Sequence, residues 1–340
     1  MAYINDITIN ISAGTIGLEQ LNFRPLIIDS GGTASGVVVC TELSDMTDAG
    51  FLSTDDAYLM ASEMLAQSPR PVDFAVKRKL DATDYDAELT TLVTTFDEFY
   101  AVLIDSRETA DLLAAGSWAN SNQKFFFGCS EDPSDLPGNT ADREAYLIHD
   151  TPTDYPECAW VGKELPKTPG SNTWKWKRLS GQSASEFTST QLNTIRTNNG
   201  NALQEQAGVI FTNEGVTTSG EYIDIIIGQD WVEDQLRTGL LGLFVRNDKI
   251  PMDDTGIAQV EGVVRDVLKR AGDNGIIAAA VSEDDMLLSD DKVYMYQVTV
   301  PLRSEISAND RANRTLTNVK FVYTTAGAIH KVTVTGYIQV

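Results

Sequence analysis

Several groups of residues in this 340-residue sequence have types and spacings that chemistry could use. Gly31-Gly32-Thr33-Ala34-Ser35-Gly36 has the glycine frame of a phosphate-cradling loop. That loop needs a lysine and then a hydroxyl residue after its last glycine, to reach the phosphates and a metal ion; Val37 and Val38 stand there, so a flexible turn is expected. Ser121-Asn122-Gln123-Lys124 has the spacing of a serine nucleophile and its lysine but lacks the KTG partner of such enzymes, and is read as chance. Glu283, Asp284, Asp285, Asp290 and Asp291 offer oxygens to Ca²⁺ without the ordered ligand series around a glycine, so a solvated acidic turn is expected. His149 beside Asp150, and His330 between Ile329 and Lys331, have no nucleophile or base next to them in sequence. Cys40, Cys129 and Cys158 lie in or beside apolar runs, form no CxxC pair and read as buried thiols; with only two histidines, no zinc set is expected. Trp174-Lys175-Trp176-Lys177-Arg178 alternates aromatic and basic side chains, as a nucleic-acid stripe would. With 26 basic against 49 acidic residues and a net charge of −23, phosphate neutralisation is a poor reading of the chain. A half-exposed strand with both tryptophans on the core explains the same period. No catalytic residue, cofactor or metal site is expected.

The elements that would position these groups fall into two units. A chain 42% hydrophobic and 22% charged can build two or three cores. Up to about residue 160, strands are expected at 24–29, 36–41, 72–76, 100–104 and 125–127, and helices at 55–67, 84–94 and 107–115. Strands without polar interruption, separated by helices, define an α/β layer architecture. Six of the 11 prolines then fall between residues 133 and 169, which predicts loop with short elements at 141–148 and 158–161. From about Asn199 a second unit begins: strands at 208–216 and 221–227, then helices at 231–245 and 256–271. The latter helix opens with Asp253 and Asp254 and closes with Lys269, Arg270 and Gly272, which suit its dipole and its end. Strands are expected again at 293–300, 316–325 and 329–340. The longest apolar runs, at 239–245 and 275–281, fall short of the roughly 18 residues a membrane span needs, so no membrane insertion is expected. The start, Met-Ala-Tyr-Ile-Asn-Asp, lacks the basic and apolar parts of a secretion signal, so a cytoplasmic origin is expected.

The two ends carry the clearest pattern. Ile7, Ile9 and Ile11 alternate with Thr8 and Asn10, and Val332, Val334, Ile338 and Val340 alternate with Thr333, Thr335, Tyr337 and Gln339. Terminal segments are usually polar and frayed, so apolar-faced strands at both ends need a sheet to join. Periodicity alone favours pairing within their own domain; the sharper alternative is strand addition to neighbouring subunits. Charge leans toward the alternative. Residues 292–340 carry Lys292, Arg303, Arg311, Arg314, Lys320 and Lys331 against Glu305 and Asp310, a cationic tail on an acidic body.

Two stretches of the second unit resemble contractile tail sheath proteins. These are Gly220-Glu221-Tyr222-Ile223-Asp224-Ile225-Ile226-Ile227-Gly228-Gln229-Asp230-Trp231 and Lys249-Ile250-Pro251-Met252-Asp253-Asp254-Thr255-Gly256-Ile257, the latter similar to a helix entry K-I-P-Y-T-D-x-G-I with Met252 in the aromatic place. The resemblance runs from about residue 209 to 340, with a weaker echo in the N-terminal arm. It implies a structural, non-enzymatic subunit with an α/β (α+β), two-domain sheath fold. The divisions are an N-terminal strand arm and hinge (1–20), an outer α/β domain (21–198), a C-terminal domain (199–325) and a C-terminal strand arm (326–340). In that family, subunits form six-fold rings or a six-start helix around a tail tube, between a baseplate and a terminator. Their arms complete a sheet in neighbouring C-terminal domains, and contraction rotates subunits as rigid bodies. Carried onto this sequence, Ile7, Ile9, Ile11, Val332, Val334 and Ile338 are the arm residues and Gly14 and Gly17 the hinge. Arg265, Lys269 and Arg270 face the acidic tube, with Arg311 and Arg314 as runners-up, although a basic helix end explains the first three equally well. A virion tail assembled in a host cytoplasm is the implied location. Another self-assembling tail component, such as a tube or baseplate protein, and a cytoplasmic α/β enzyme remain the alternatives.

Overall fold

Strands buried on both faces dominate the first half of the chain, as their unbroken apolar runs require. The computed structural model describes residues 23–31, 36–80, 83–133, 141–280 and 293–335. In chain order the elements begin β1 (Pro25–Asp29), β2 (Val38–Cys40), α1 (Leu43–Asp48), α2 (Asp56–Leu65), β3 (Phe74–Arg78), α3 (Tyr85–Leu92) and β4 (Ala101–Ile104). They continue α4 (Thr109–Ser121), β5 (Phe125–Ser130), β6 (Glu144–Ile148), α5 (Pro156–Glu164), α6 (Ser189–Thr197), β7 (Asn201–Gln206) and β8 (Val209–Thr212). These eight strands form one sheet in the order β2-β3-β1-β4-β5-β6-β7-β8. Neighbours from β3 to β7 run parallel, while β2 and β8 close the two edges antiparallel.

Alternation along each strand divides the core in two. Ile27, Val76, Leu103, Phe125, Phe127 and Leu147 point to one face, under α2, α5 and their neighbours. Leu26, Ala75, Val102, Phe126, Tyr146 and Ile148 point to the other, under α3, α4 and α6. Helices on both faces of a mostly parallel sheet are what the apolar strands predict.

The remaining elements are α7 (Ile223–Arg246), α8 (Asp254–Asp273), β9 (Ala279–Ala280), β10 (Val293–Tyr294), β11 (Tyr296–Thr299), α9 (Ala308–Ala312) and β12 (Lys320–Tyr323). The 24 residues of α7 span about 36 Å at 1.5 Å per residue, enough to cross from one core to the next. Ile223, Ile226 and Ile227 pack in the outer-domain core. Further along, Val232 and Leu236 pack against Val264, Val267, Leu268 and Ala271 of α8 and Val298 of β11.

Several expectations are corrected. Residues 221–227 are the entry of α7 rather than a strand: Ile223, Ile226 and Ile227 recur at helical spacing, which a short run of isoleucines conceals. Strands β7 and β8 lie beyond the expected division at 198/199 yet pair into the outer sheet. The strand expected at 72–76 begins at Phe74, because Pro69 and Pro71 hold the preceding residues in a turn. Residues 174–178 form no strand. Trp176 has a φ of 65°, which breaks the two-residue alternation, so Trp174 is buried while Trp176 stays 47% exposed. The basic side chain of Lys175 is the one turned inward, to Glu214 at 3.2 Å.

Candidate assembly interface

Where the strand order reverses, beside β1, open α/β sheets bind their ligands. The groups at that point, immediately before the glycine-rich 31–36 stretch, are engaged with one another. Arg78 Nε donates to Asp29 at 2.9 Å, and a second nitrogen of Arg78 pairs with Asp55. Ser30 donates to Asp105 from its amide (2.9 Å) and hydroxyl (2.6 Å), and Tyr85 donates to Asp105 at 2.5 Å. Burial raises the Asp29 pKa against the pull of Arg78. Among the described residues, no group of three or more His, Cys, Asp or Glu is placed to hold a metal ion. His149 is fully buried, with its ring nitrogens engaged by Ser183 and Thr151. The three cysteines are buried free thiols.

The C-terminal domain presents a different kind of surface. Strands β11 and β12 pair antiparallel, Tyr296 opposite Tyr323 and Thr299 opposite Lys320, as a two-stranded sheet. One face sits on α8 through Val298, Phe321 and Tyr323, and the other shows Val322 to solvent at 63% exposure. Short backbone contacts extend this sheet toward β9 and β10: Ala278 N donates to Thr324 O at 2.9 Å, and Ile277 bridges to Thr325. A two-stranded sheet is marginal by itself and leaves backbone groups along its outer edges for another strand.

Beyond β12 the chain runs on without a strand through residue 335. Val332 and Val334, two of the expected arm residues, stand 76% and 86% exposed, and Ile329 stands 83% exposed. The period-two pattern therefore finds no partner within the described part of its own subunit. Ile338, the N-terminal Ile7, Ile9 and Ile11, and the hinge glycines Gly14 and Gly17 lie outside the described residues, as does the acidic stretch around Asp285.

Helix α8 places Arg265, Lys269 and Arg270 on its exposed side, opposite Ile257, Val260, Val264 and Leu268. Arg265 pairs with Glu261 at 2.6 Å and Arg270 with Asp266 at 3.3 Å, each one turn earlier on the helix. Arg270 also donates to Gln235 of α7 at 2.7 Å. Lys269 has no ionic partner among the described residues. These i,i+4 acids were legible in the sequence and temper the cationic face. Arg311 is used locally, on the Ile306 carbonyl, and Arg314 is exposed.

A buried polar lock, which the sequence did not announce, ties the two domains together. Arg143, at the start of β6, holds Asp230 of α7 with both terminal nitrogens, at 2.6 and 2.5 Å, and Tyr100 donates to the same carboxylate at 2.5 Å. One turn on, Arg237 donates to Glu233 at 2.9 Å. All five side chains are buried. Burial, partly countered by Arg237, pushes the Glu233 carboxyl up to about 7, and burial followed by the Asp230 charge raises the Tyr323 hydroxyl to about 12. The lock thus ties the outer sheet, through Tyr100 and Arg143, to α7.

This is the fold of a contractile sheath subunit. The chain is similar over 99% of its length to 99% of the anti-feeding prophage helical sheath in its contracted state, at 13% identity and a TM-score of 0.68. A chain of the six-fold symmetrised anti-feeding prophage baseplate matches at 14% identity and 0.67, covering 100% of this chain and 99% of that one. A sheath complex of an extracellular contractile injection system (PVC), also contracted, matches at 9% identity and 0.63 over 99% and 98% of the two chains. Residues 223–338 match the family described as E217 tail sheath protein gp31-like, C-terminal domain. No curated protein matches the chain by sequence.

Proposed function

We propose that this chain polymerises as a contractile tail sheath in which each copy lends its terminal strands to the C-terminal sheets of its neighbours. The observation that carries this is the C-terminal segment with Ile329, Val332 and Val334 in the open and, among the described residues, no strand partner, beside a β11–β12 sheet that among those residues has two strands. An edge strand and an apolar-faced extension of the same molecule are complementary, and a neighbour can supply what each lacks. In this reading the arms are residues 1–20 and 326–340, and the boundary between the domains falls along α7. Subunits assemble as six-fold rings or a six-start helix around a tail tube, seated on a baseplate and closed by a terminator. The particle's tail is assembled in the host cytoplasm. Contraction drives the tube through the target envelope by rotating each subunit as a rigid body, a motion that the Arg143–Asp230 lock supports by joining the two domains. New area buried between subunits supplies the free energy, while the exchanged strands keep neighbours linked.

The test is negative-stain microscopy of the purified full chain and two variants. The full chain should form hollow striated cylinders. Removal of residues 1–11, or Val334→Asp, should leave a folded, soluble subunit that forms none, since a charge on the apolar face of a paired strand has no compensation. Normal cylinders from both variants would show that the arms are not the linkers.

A further inference from the structure

Past Ala326, whose amide donates to the Ile276 carbonyl at 2.9 Å, the described part of the C-terminal segment meets the body of the subunit through His330. From residue 324 to residue 335 every side chain is exposed except that of His330. Its Nε2 lies 2.8 Å from Thr173 Oγ1 of the outer domain, and its ring meets that of Tyr222, at the start of α7, edge-on with centroids 4.7 Å apart. The Nδ1 atom is buried and has no hydrogen-bond partner among the described residues. Thr173 also hydrogen-bonds the Asp224 carboxylate. Beside the seat is a partly open cavity of about 330 Å³, lined by Thr173, Lys177, Asp224, Ile276, Thr325 and Gly327. The seat therefore gathers the outer domain, the first turn of α7 and the root of the arm.

We propose that His330 is an acid-released anchor of the C-terminal arm: neutral, it sits against Thr173 and Tyr222 and fixes where the exchanged strand begins; protonated, it leaves. This rests on the reading that the residues beyond it are exchanged between subunits. The physical reason lies in what surrounds the ring. A neutral imidazole satisfies the seat with Nε2 toward Thr173 and a bare, buried Nδ1 that meets no partner among the described residues. A second N–H would be buried without an acceptor. Lys175, Lys177 and Lys331 face the ring and oppose a positive charge, while Glu214 favours it. Glu214 is already engaged by Lys175 and Arg196, both at 3.2 Å, and Asp224 is reached only through the Thr173 hydroxyl. Burial first, and then the lysines, lower the His330 pKa from its ordinary 6.5. The released ring binds a proton more readily than the seated one. The seat is therefore at full strength above about 6.5, and below it the released fraction grows about tenfold per pH unit until the seated ring's own lowered value is reached.

Fluorescence anisotropy of a dye on Thr335→Cys, in the unassembled full-length subunit, reads the anchor directly; the three native thiols are buried. Anisotropy should be high near neutral pH and fall on acidification through about pH 6. His330→Gln keeps a side-chain donor for Thr173 and cannot titrate, so its anisotropy should stay high across the range. Thr173→Val should give low anisotropy at every pH. The same acid-induced fall in His330→Gln, or a firmly held dye in Thr173→Val, would overturn the proposal. Because the readout is on single subunits, failure of the exchange reading would appear separately, as normal cylinders from the arm variants.

Discussion

Replacing Arg143 by Met should loosen the junction between the two domains. The Asp230 side chain is 2% exposed and accepts three hydrogen bonds, two from Arg143 and one from Tyr100. Without the guanidinium, a buried carboxylate keeps only the tyrosine hydroxyl, a situation that costs about 3–5 kcal/mol when one partner of a buried ion pair is removed. At a denaturant slope of about 3 kcal/mol per molar urea, the midpoint should fall by about 1–1.7 M. Unfolding followed by far-UV dichroism and by tryptophan emission should cease to coincide, because the C-terminal domain loses its main polar tie to the outer sheet. Adding Asp230→Leu should restore much of the loss, since it removes the stranded charge. A midpoint shift under about 0.3 M for Arg143→Met would refute the reasoning. So would a double variant weaker than the single one.

Three further outcomes follow from the same structure. Gly256→Ala should lower the thermal midpoint by an amount equivalent to about 2–3 kcal/mol, because a Cβ there overlaps the Pro251 carbonyl beside the Asp253 cap of α8. Glu144 is fully buried, and burial pushes its carboxyl up to about 7 despite the Tyr146 hydroxyl. The folded protein therefore binds this proton more tightly than the unfolded chain, so its contribution is present below about 4.5 and is lost as pH rises to about 7; Glu144→Gln should flatten that slope in urea titrations and stabilise the protein at about pH 8 by up to ~3 kcal/mol. If α8 faces an acidic tube, Lys269→Glu should weaken co-assembly with tubes at low salt more than Arg265→Glu does, since Arg265 already spends its charge on Glu261; equal effects in a sedimentation assay would remove Lys269 from that role.

Much of the outer domain was legible because its strands are buried on both faces and its helices on one. The apolar runs at 24–29 and 100–104 and the helix at 55–67 survive in β1, β4 and α2 with only small shifts at their ends. Trp174–Arg178 misled because period two was read from residue types alone. A single left-handed residue, Trp176, broke the alternation, leaving Trp176 outside and Lys175 inside while Trp174 stayed buried, and nothing local marks an aromatic residue for that conformation. The entry of α7 misled for another reason: isoleucines favour strands by propensity, while this helix draws its stability from packing in two cores. The alternation of Val332 and Val334 was visible in the sequence, and the structure leaves both exposed. The Arg143–Asp230 lock was not, because its members are 87 positions apart and only the fold brings them together.

In the proposed sheath many identical sheets would stand side by side, a setting in which bare rims would fuse. The rims of the eight-stranded sheet are poor templates for such fusion. On one side β2 is only three residues long. On the other, Trp176 and Lys177 already take up the outward-facing backbone of Thr212, at 2.8 Å each way. Lateral stitching along this sheet is thus discouraged, and in the proposed assembly copies could pack densely against it without becoming permanently glued.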